Sequence, residues 1–108
     1  MSEMNYQALI YFKTVAELQH YTRAADALYI SQPALSKAIH NLESELGTAL
    51  FQKNGRNVEL TRTGSLFYEY INRSLNEIDQ GIAAVRREIE IERNTIFVSA
   101  LYSLYAIY

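Results

Sequence analysis

The chain has 108 residues, 49% of them hydrophobic and 20% charged, with a formal net charge of −2 and no cysteine. That length sets one compact domain as the expectation, with room for little more than an added element, and the composition excludes a disordered chain. Without cysteine there is no disulfide, thiolate metal site or cysteine nucleophile, which fits a reducing cytoplasm, and neither the start MSEMNYQALIYF nor any apolar run predicts a signal peptide or membrane span.

Residues 5–18 read as a first helix. Leu9, Phe12, Val15 or Ala16, and Leu18 follow helical spacing and leave Lys13 and Glu17 outward. Thr22 then opens a short second helix, TRAADAL, with its hydroxyl as the cap. Ala24 and Ala25 are small enough for close helix packing. Tyr29-Ile30 is a short connection. Ser31 or Gln32 opens a third helix with Pro33 in its first turn, where a missing N–H costs little. Leu35, Ile39, Leu42 and Leu46 form one apolar stripe along it, and Gly47 is placed to end it.

Asn54-Gly55 lies between two short β-prone runs and predicts a hairpin, with strands near Phe51–Lys53 and Val58–Leu60 and Arg56 near the tip. A long helix then runs from Thr61 to about Arg93. In it Ile71, Leu75, Ile78, Ile82, Val85 and Ile89 step by 4, 3, 4, 3 and 4, a heptad seam that predicts packing against a partner helix. Gly81 lies beside that seam. The last segment, TIFVSALYSLYAIY, is β-branched, aromatic and uncharged, and reads as the first strand of a further domain.

The net charge counts mildly against a nucleic-acid surface, where a basic domain is the usual footprint. Its distribution counts the other way. Residues 20–62 carry Arg23, Lys37, Lys53, Arg56 and Arg62 against Asp26, Glu43, Glu45 and Glu59, whereas residues 63–108 carry four arginines against six acids.

The second helix, tight connection and third helix make a helix-turn-helix, and the hairpin makes it winged. In such a motif the second helix of the pair enters the major groove with its N-terminal residues on base edges. Pro33, Ser36, Lys37 and His40 share the face opposite the leucine stripe. Lys37 can donate to guanine O6 and N7, and Gln32 can pair with adenine N6 and N7. Ser36 and Thr22 suit phosphate or base contacts, Ser31 joins them where the helix opens, and Arg56 suits a narrow minor groove. His40 reads as a phosphate contact or as the edge of the face. His20 reads as structural or exposed, and two histidines on different elements make no metal site. No nucleophile–base pair or phosphate-cradling glycine loop appears, so an enzyme is not expected.

The run HYTRAADALYISQPALSKAIHNLESELGTALFQKNGRNVELTRTG resembles the N-terminal winged helix-turn-helix of LysR-type transcriptional regulators. The likeness covers about residues 4–93 and rests on TRAA, SQPALS, LE..LG, LF and LT.TG together. It implies a mainly α fold of three helices and a hairpin wing over residues 1–61, a linker and dimerisation helix over 62–93, and the first strand of a missing effector-binding domain over 94–108. It also implies a bacterial, cytoplasmic homodimer on double-stranded DNA, with room for a tetramer in a full-length protein. A small-molecule effector would enter only with the missing domain; no cofactor, metal or membrane is implied. The family's DNA contacts fall on Gln32, Pro33, Ser36, Lys37 and Arg56, and less directly on Thr22, Arg23 and His40. Lys37 and Lys53 stand where arginine is common, and lysine lacks the bidentate fork. His20-Tyr21 replaces the usual small-residue turn followed by Phe. Two other readings stand beside this one: a winged-helix module that docks a protein, and a similar DNA module joined to a different domain, as in molybdate-responsive regulators.

Overall fold

The computed structural model describes residues 4–107. Four helices and one hairpin follow one another: α1 Tyr6–Leu18, α2 Tyr21–Leu28, α3 Gln32–Leu46, β1 Phe51–Asn54, β2 Asn57–Leu60 and α4 Arg62–Ile107. The mainly α winged helix-turn-helix is therefore formed as the sequence predicts. Contacts divide the chain into two units, one ending at Leu75 and one beginning at Asn76.

In the first unit, local chemistry ends each helix. Asn5 Oδ1 accepts from the Ala8 N–H at 2.8 Å to start α1. Gln19, left-handed at φ 56, stops it. α2 ends on Tyr29, also left-handed at φ 58. There the Tyr29 N–H donates to the Asp26 carbonyl and the Ile30 N–H to the Ala25 carbonyl. These two bonds form a Schellman closure, so the connection of the helix-turn-helix satisfies its own carbonyls. Ser31 caps α3, and Gly47, at φ 75, ends it.

The start of α2 differs from the sequence expectation. Thr22 does not cap it. His20 does, with Nδ1 accepting from the Arg23 N–H at 3.2 Å. Thr22 is thereby left exposed in the first turn of α2.

The core gathers Phe12, Val15, Ala24, Ala25, Leu35, Ile39, Leu42 and Leu50. Leu46, the last residue of the leucine stripe, is 38% exposed and lies outside that cluster. Phe12 stacks obliquely on Phe51 of β1 and Phe67 of α4, with ring centroids 5.4 and 5.0 Å apart. One aromatic on α1 thus anchors both the wing and the base of α4, with geometries such rings favour. The Val58 N–H donates to the Gln19 carbonyl at 2.9 Å and ties β2 to the α1–α2 turn. β1 and β2 pair antiparallel, Phe51 opposite Leu60 and Asn54 opposite Asn57.

The junction into α4 explains the LT.TG run. Thr61 Oγ1 donates to the Ala49 carbonyl at 2.6 Å and accepts from the Gly64 N–H at 3.0 Å. Thr63 Oγ1 donates to the same carbonyl at 3.0 Å. Gly64 lies so close to the Leu50 carbonyl that no Cβ fits between them.

Two expectations about α4 change. Ile71 and Leu75, counted in the partner seam, are buried in the core of the first unit. The same four-residue step serves intramolecular packing at its start. The strand expected from Thr95 is not formed, because α4 continues as helix to Ile107. A strand needs a neighbour for its backbone groups, whereas a helix bonds them internally. Among the described residues the only sheet is the two-stranded wing, so nothing pairs with this segment, and its β propensity yields to context.

Candidate nucleic-acid interface

An open groove of about 620 Å³ runs between α3 and the wing. α2 contributes Tyr21 and Thr22, with His20 at its cap; α3 contributes Gln32, Ser36, His40 and Glu43; the wing contributes Phe51 to Lys53 and Gly55 to Val58, including Arg56. Five residues named from the sequence, Thr22, Gln32, Ser36, His40 and Arg56, therefore meet in one place. Pro33, Lys37, Ser31 and Arg23 do not line this groove, but all four are exposed. Ser31 is committed in part, since its Oγ accepts from the Ala34 N–H at 3.2 Å as the α3 cap.

The polar face of α3 is internally organised. Gln32 Nε2 donates to Ser36 Oγ at 2.9 Å, and His40 Nδ1 lies 2.8 Å from the Ser36 carbonyl oxygen. These bonds hold short side chains close to the helix, which suits a helix entering a groove. Lys37 stands free of them as a flexible cation. Arg56 is the second residue of the two-residue turn that Gly55 opens at φ 64.

Sequence reasoning missed Glu43 and Tyr21. Glu43 Oε2 accepts from the Leu50 N–H at 2.6 Å and the Phe51 N–H at 3.3 Å, so it ties the end of α3 to the root of the wing. Burial pushes the Tyr21 phenol up to about 12, and the nearby Glu43 carboxylate adds to this. Tyr21 also meets Phe51 edge to face, with centroids 6.1 Å apart. Both residues fix the wing against the helices. The signal for Glu43 lay in its partners seven and eight residues ahead, beyond any local period. Elsewhere in the first unit, Tyr68 donates to Glu17 Oε2 at 2.8 Å; that bond raises the Tyr68 phenol above its ordinary range.

The second unit carries the other candidate surface. Ile78, Ile82, Val85 and Ile89, with Gly81 and Arg86, line an apolar furrow along α4. These four seam residues are each at least 43% exposed. Repetition of large exposed apolar groups at seam spacing is what an uncovered helix-pairing surface looks like. Among the described residues no helix is long and apolar enough to cross a membrane.

Comparison with known proteins places these features in context. Residues 6–65 match the family described as bacterial regulatory helix-turn-helix protein, lysR family. The HTH-type transcriptional regulator BenM of Acinetobacter baylyi is 41% identical over 101 residues, which are 94% of this chain and 33% of that protein. The uncharacterized HTH-type transcriptional regulator YybE of Bacillus subtilis is 34% identical over 101 residues, or 94% and 35% of the two chains. The chain thus spans about a third of the length of these relatives. Among solved structures, the BenM DBD in complex with catB site 1 DNA matches with a TM-score of 0.74 and 43% identity, covering 78% of this chain and 93% of that one. The CbnR DBD–DNA complex matches with a TM-score of 0.70 and 34% identity, over 77% and 95%.

Proposed function

The chain belongs to the lysR family of bacterial helix-turn-helix regulatory proteins, and from that premise we propose that it binds double-stranded DNA sequence-specifically, as a homodimer, and regulates transcription. The observation that carries this reading is the groove in which the exposed polar face of α3 stands beside the Arg56 wing. α3 would enter the major groove with Gln32, Ser36 and Lys37 on base edges, while Thr22, Arg23 and the α3 start, with Ser31 and Pro33, meet the backbone. Arg56 would reach flanking backbone or minor groove. Ile78, Ile82, Val85 and Ile89 would close the dimer. This is a binding role rather than catalysis, set in the bacterial cytoplasm. A small-molecule effector would act through a further domain, to which the segment from Thr95 would lead.

Selection of bound duplexes from a random pool tests the reading and reveals half-site spacing. Log affinity is expected to fall linearly with log salt, by about 0.9 per phosphate neutralised. Failure to retard any DNA at low salt refutes the proposal and favours a winged-helix module that docks a protein.

A further inference from the structure

The two histidines of the groove are bonded to the backbone in opposite senses. His40 Nδ1 lies 2.8 Å from the Ser36 carbonyl oxygen. A carbonyl only accepts, so this nitrogen carries the ring hydrogen and donates it. In the neutral imidazole the other nitrogen, Nε2, is then a bare acceptor. His20 is the reverse: its Nδ1 accepts from the Arg23 N–H, so its Nε2 carries the hydrogen and donates. Both rings line the same groove.

Among the groups around His40, only Glu43 offers another free acceptor. Lys37 offers donors only. Ser36 Oγ already accepts from Gln32, leaving its hydroxyl hydrogen to give. Glu43, one turn further along α3, has Oε2 taken by two wing-root N–H groups and turns toward the wing root, with Oε1 as its remaining acceptor. Gln32 supplies an acceptor at the start of α3, and His40 Nε2 supplies the next, eight residues or roughly 12 Å along the axis.

A phosphate also only accepts, so it gains nothing from a bare nitrogen. In the major groove, the donors available to Nε2 are adenine N6 and cytosine N4. We infer that His40 is a base-reading residue that selects adenine or cytosine at one position of each half-site through this acceptor. The assignment rests on the DNA-binding reading proposed above and names a specificity within it.

Two measurements on the full chain test it. Long-range proton–nitrogen NMR of the free protein, under alkaline conditions where imidazoles are neutral, reports the tautomers without DNA. The expected result is a hydrogen on His40 Nδ1 and on His20 Nε2; a hydrogen on His40 Nε2 overturns the assignment. Pool selection is then run with wild type, His40→Ala and His40→Arg. His40 is exposed, so these variants disturb no core packing. Wild type is expected to favour adenine or cytosine at one position by about three- to tenfold, the yield of one net hydrogen bond. His40→Ala is expected to lose that preference alone, and His40→Arg to turn it to guanine. Unchanged preferences overturn the assignment. Equal weakening on every duplex also overturns it and makes His40 a phosphate contact. If wild type selects no sequence, DNA reading itself fails; that result is told apart because wild type and both variants then behave alike.

Discussion

Gly64→Ala puts the junction between the wing and α4 to the test. A Cβ at this position would lie 2.0 Å from the Leu50 carbonyl oxygen and 2.9 Å from its carbon. An ordinary C···O approach is about 3.3 Å or more, so the first turn of α4 must retreat by over an ångström. No rotamer relieves this, because both partners are backbone. The retreat stretches four bonds: Thr61 N–H to Leu50 O at 2.9 Å, Thr61 and Thr63 Oγ1 to Ala49 O at 2.6 and 3.0 Å, and Gly64 N–H to Thr61 Oγ1 at 3.0 Å. At about 1 kcal/mol net per bond, losing three or four costs about 3–4 kcal/mol. Alanine returns about 1 kcal/mol through helix propensity, which leaves a net loss of about 2–3 kcal/mol. Urea unfolding followed by circular dichroism reads this as a lower midpoint at unchanged slope. A midpoint equal to or above that of the parent chain would show that α4 does not bear on Leu50 as described, and the account of the LT.TG run would fall with it.

Three further outcomes are expected. Lys37→Ala costs about 1–3 kcal/mol on a selected duplex and relaxes the preference at one position; equal loss on selected and random DNA in competition binding makes Lys37 a phosphate contact instead. Ile78→Asp combined with Ile82→Asp yields monomers in sedimentation, because a carboxylate in an apolar seam is costly to bury; an intact dimer places the interface elsewhere. The Tyr21 phenol, pushed from 10.0 up to about 12, keeps its proton in the folded state after the unfolded chain has lost its own. Its contribution to stability is whole below the unfolded pKa of 10.0 and is lost as pH rises through about 12. The urea midpoint should fall less steeply over that window in Tyr21→Phe than in the parent chain, and parallel curves would disprove the linkage.

Much of the fold was legible because its signals are local. Ser31, Gly47 and Gly55 act on backbone groups within a few residues and stand where the sequence places them, whereas Asn54 closes β1 and the turn is Gly55-Arg56. The leucine stripe of α3 is a period that any helix displays. His20 was not legible as a cap, since Ser, Thr, Asp and Asn are the usual acceptors there, and Thr22 stood two residues on. Ile71 and Leu75 show a second limit. Heptad spacing identifies the apolar side of a helix and does not say whether its own domain or another chain covers it. Ile71 and Leu75 join the same buried cluster as Phe12 within one domain, and only from Ile78 onward does that side stand open. The groove was half legible: the α3 face follows from spacing, but Glu43 and Tyr21 enter it through contacts that depend on how the wing folds back.

Those contacts also bear on how an acidic chain can present a surface to DNA. Glu43 and Glu45 follow Gln32 to His40 along α3, toward its C-terminal end. Glu43 in fact lines the groove, so distance alone does not remove the repulsion. What counters it is that the carboxylate faces two backbone N–H groups of the wing root. Glu59 is handled the same way, each oxygen accepting from a neutral amide, Gln52 Nε2 at 3.0 Å and Asn54 Nδ2 at 3.2 Å. Oriented N–H dipoles offset part of the field of each carboxylate, while Arg23, Lys37 and Arg56 stand exposed. On the DNA-binding reading proposed above, the field a duplex meets depends on where these cations stand and not only on the net charge of −2. Salt dependence measures this directly, because the slope counts phosphates neutralised and not formal charge. Arg56→Ala is expected to reduce that slope by about 1 on every sequence. A slope that does not change would take the wing tip off the DNA backbone and leave α3 to bind alone.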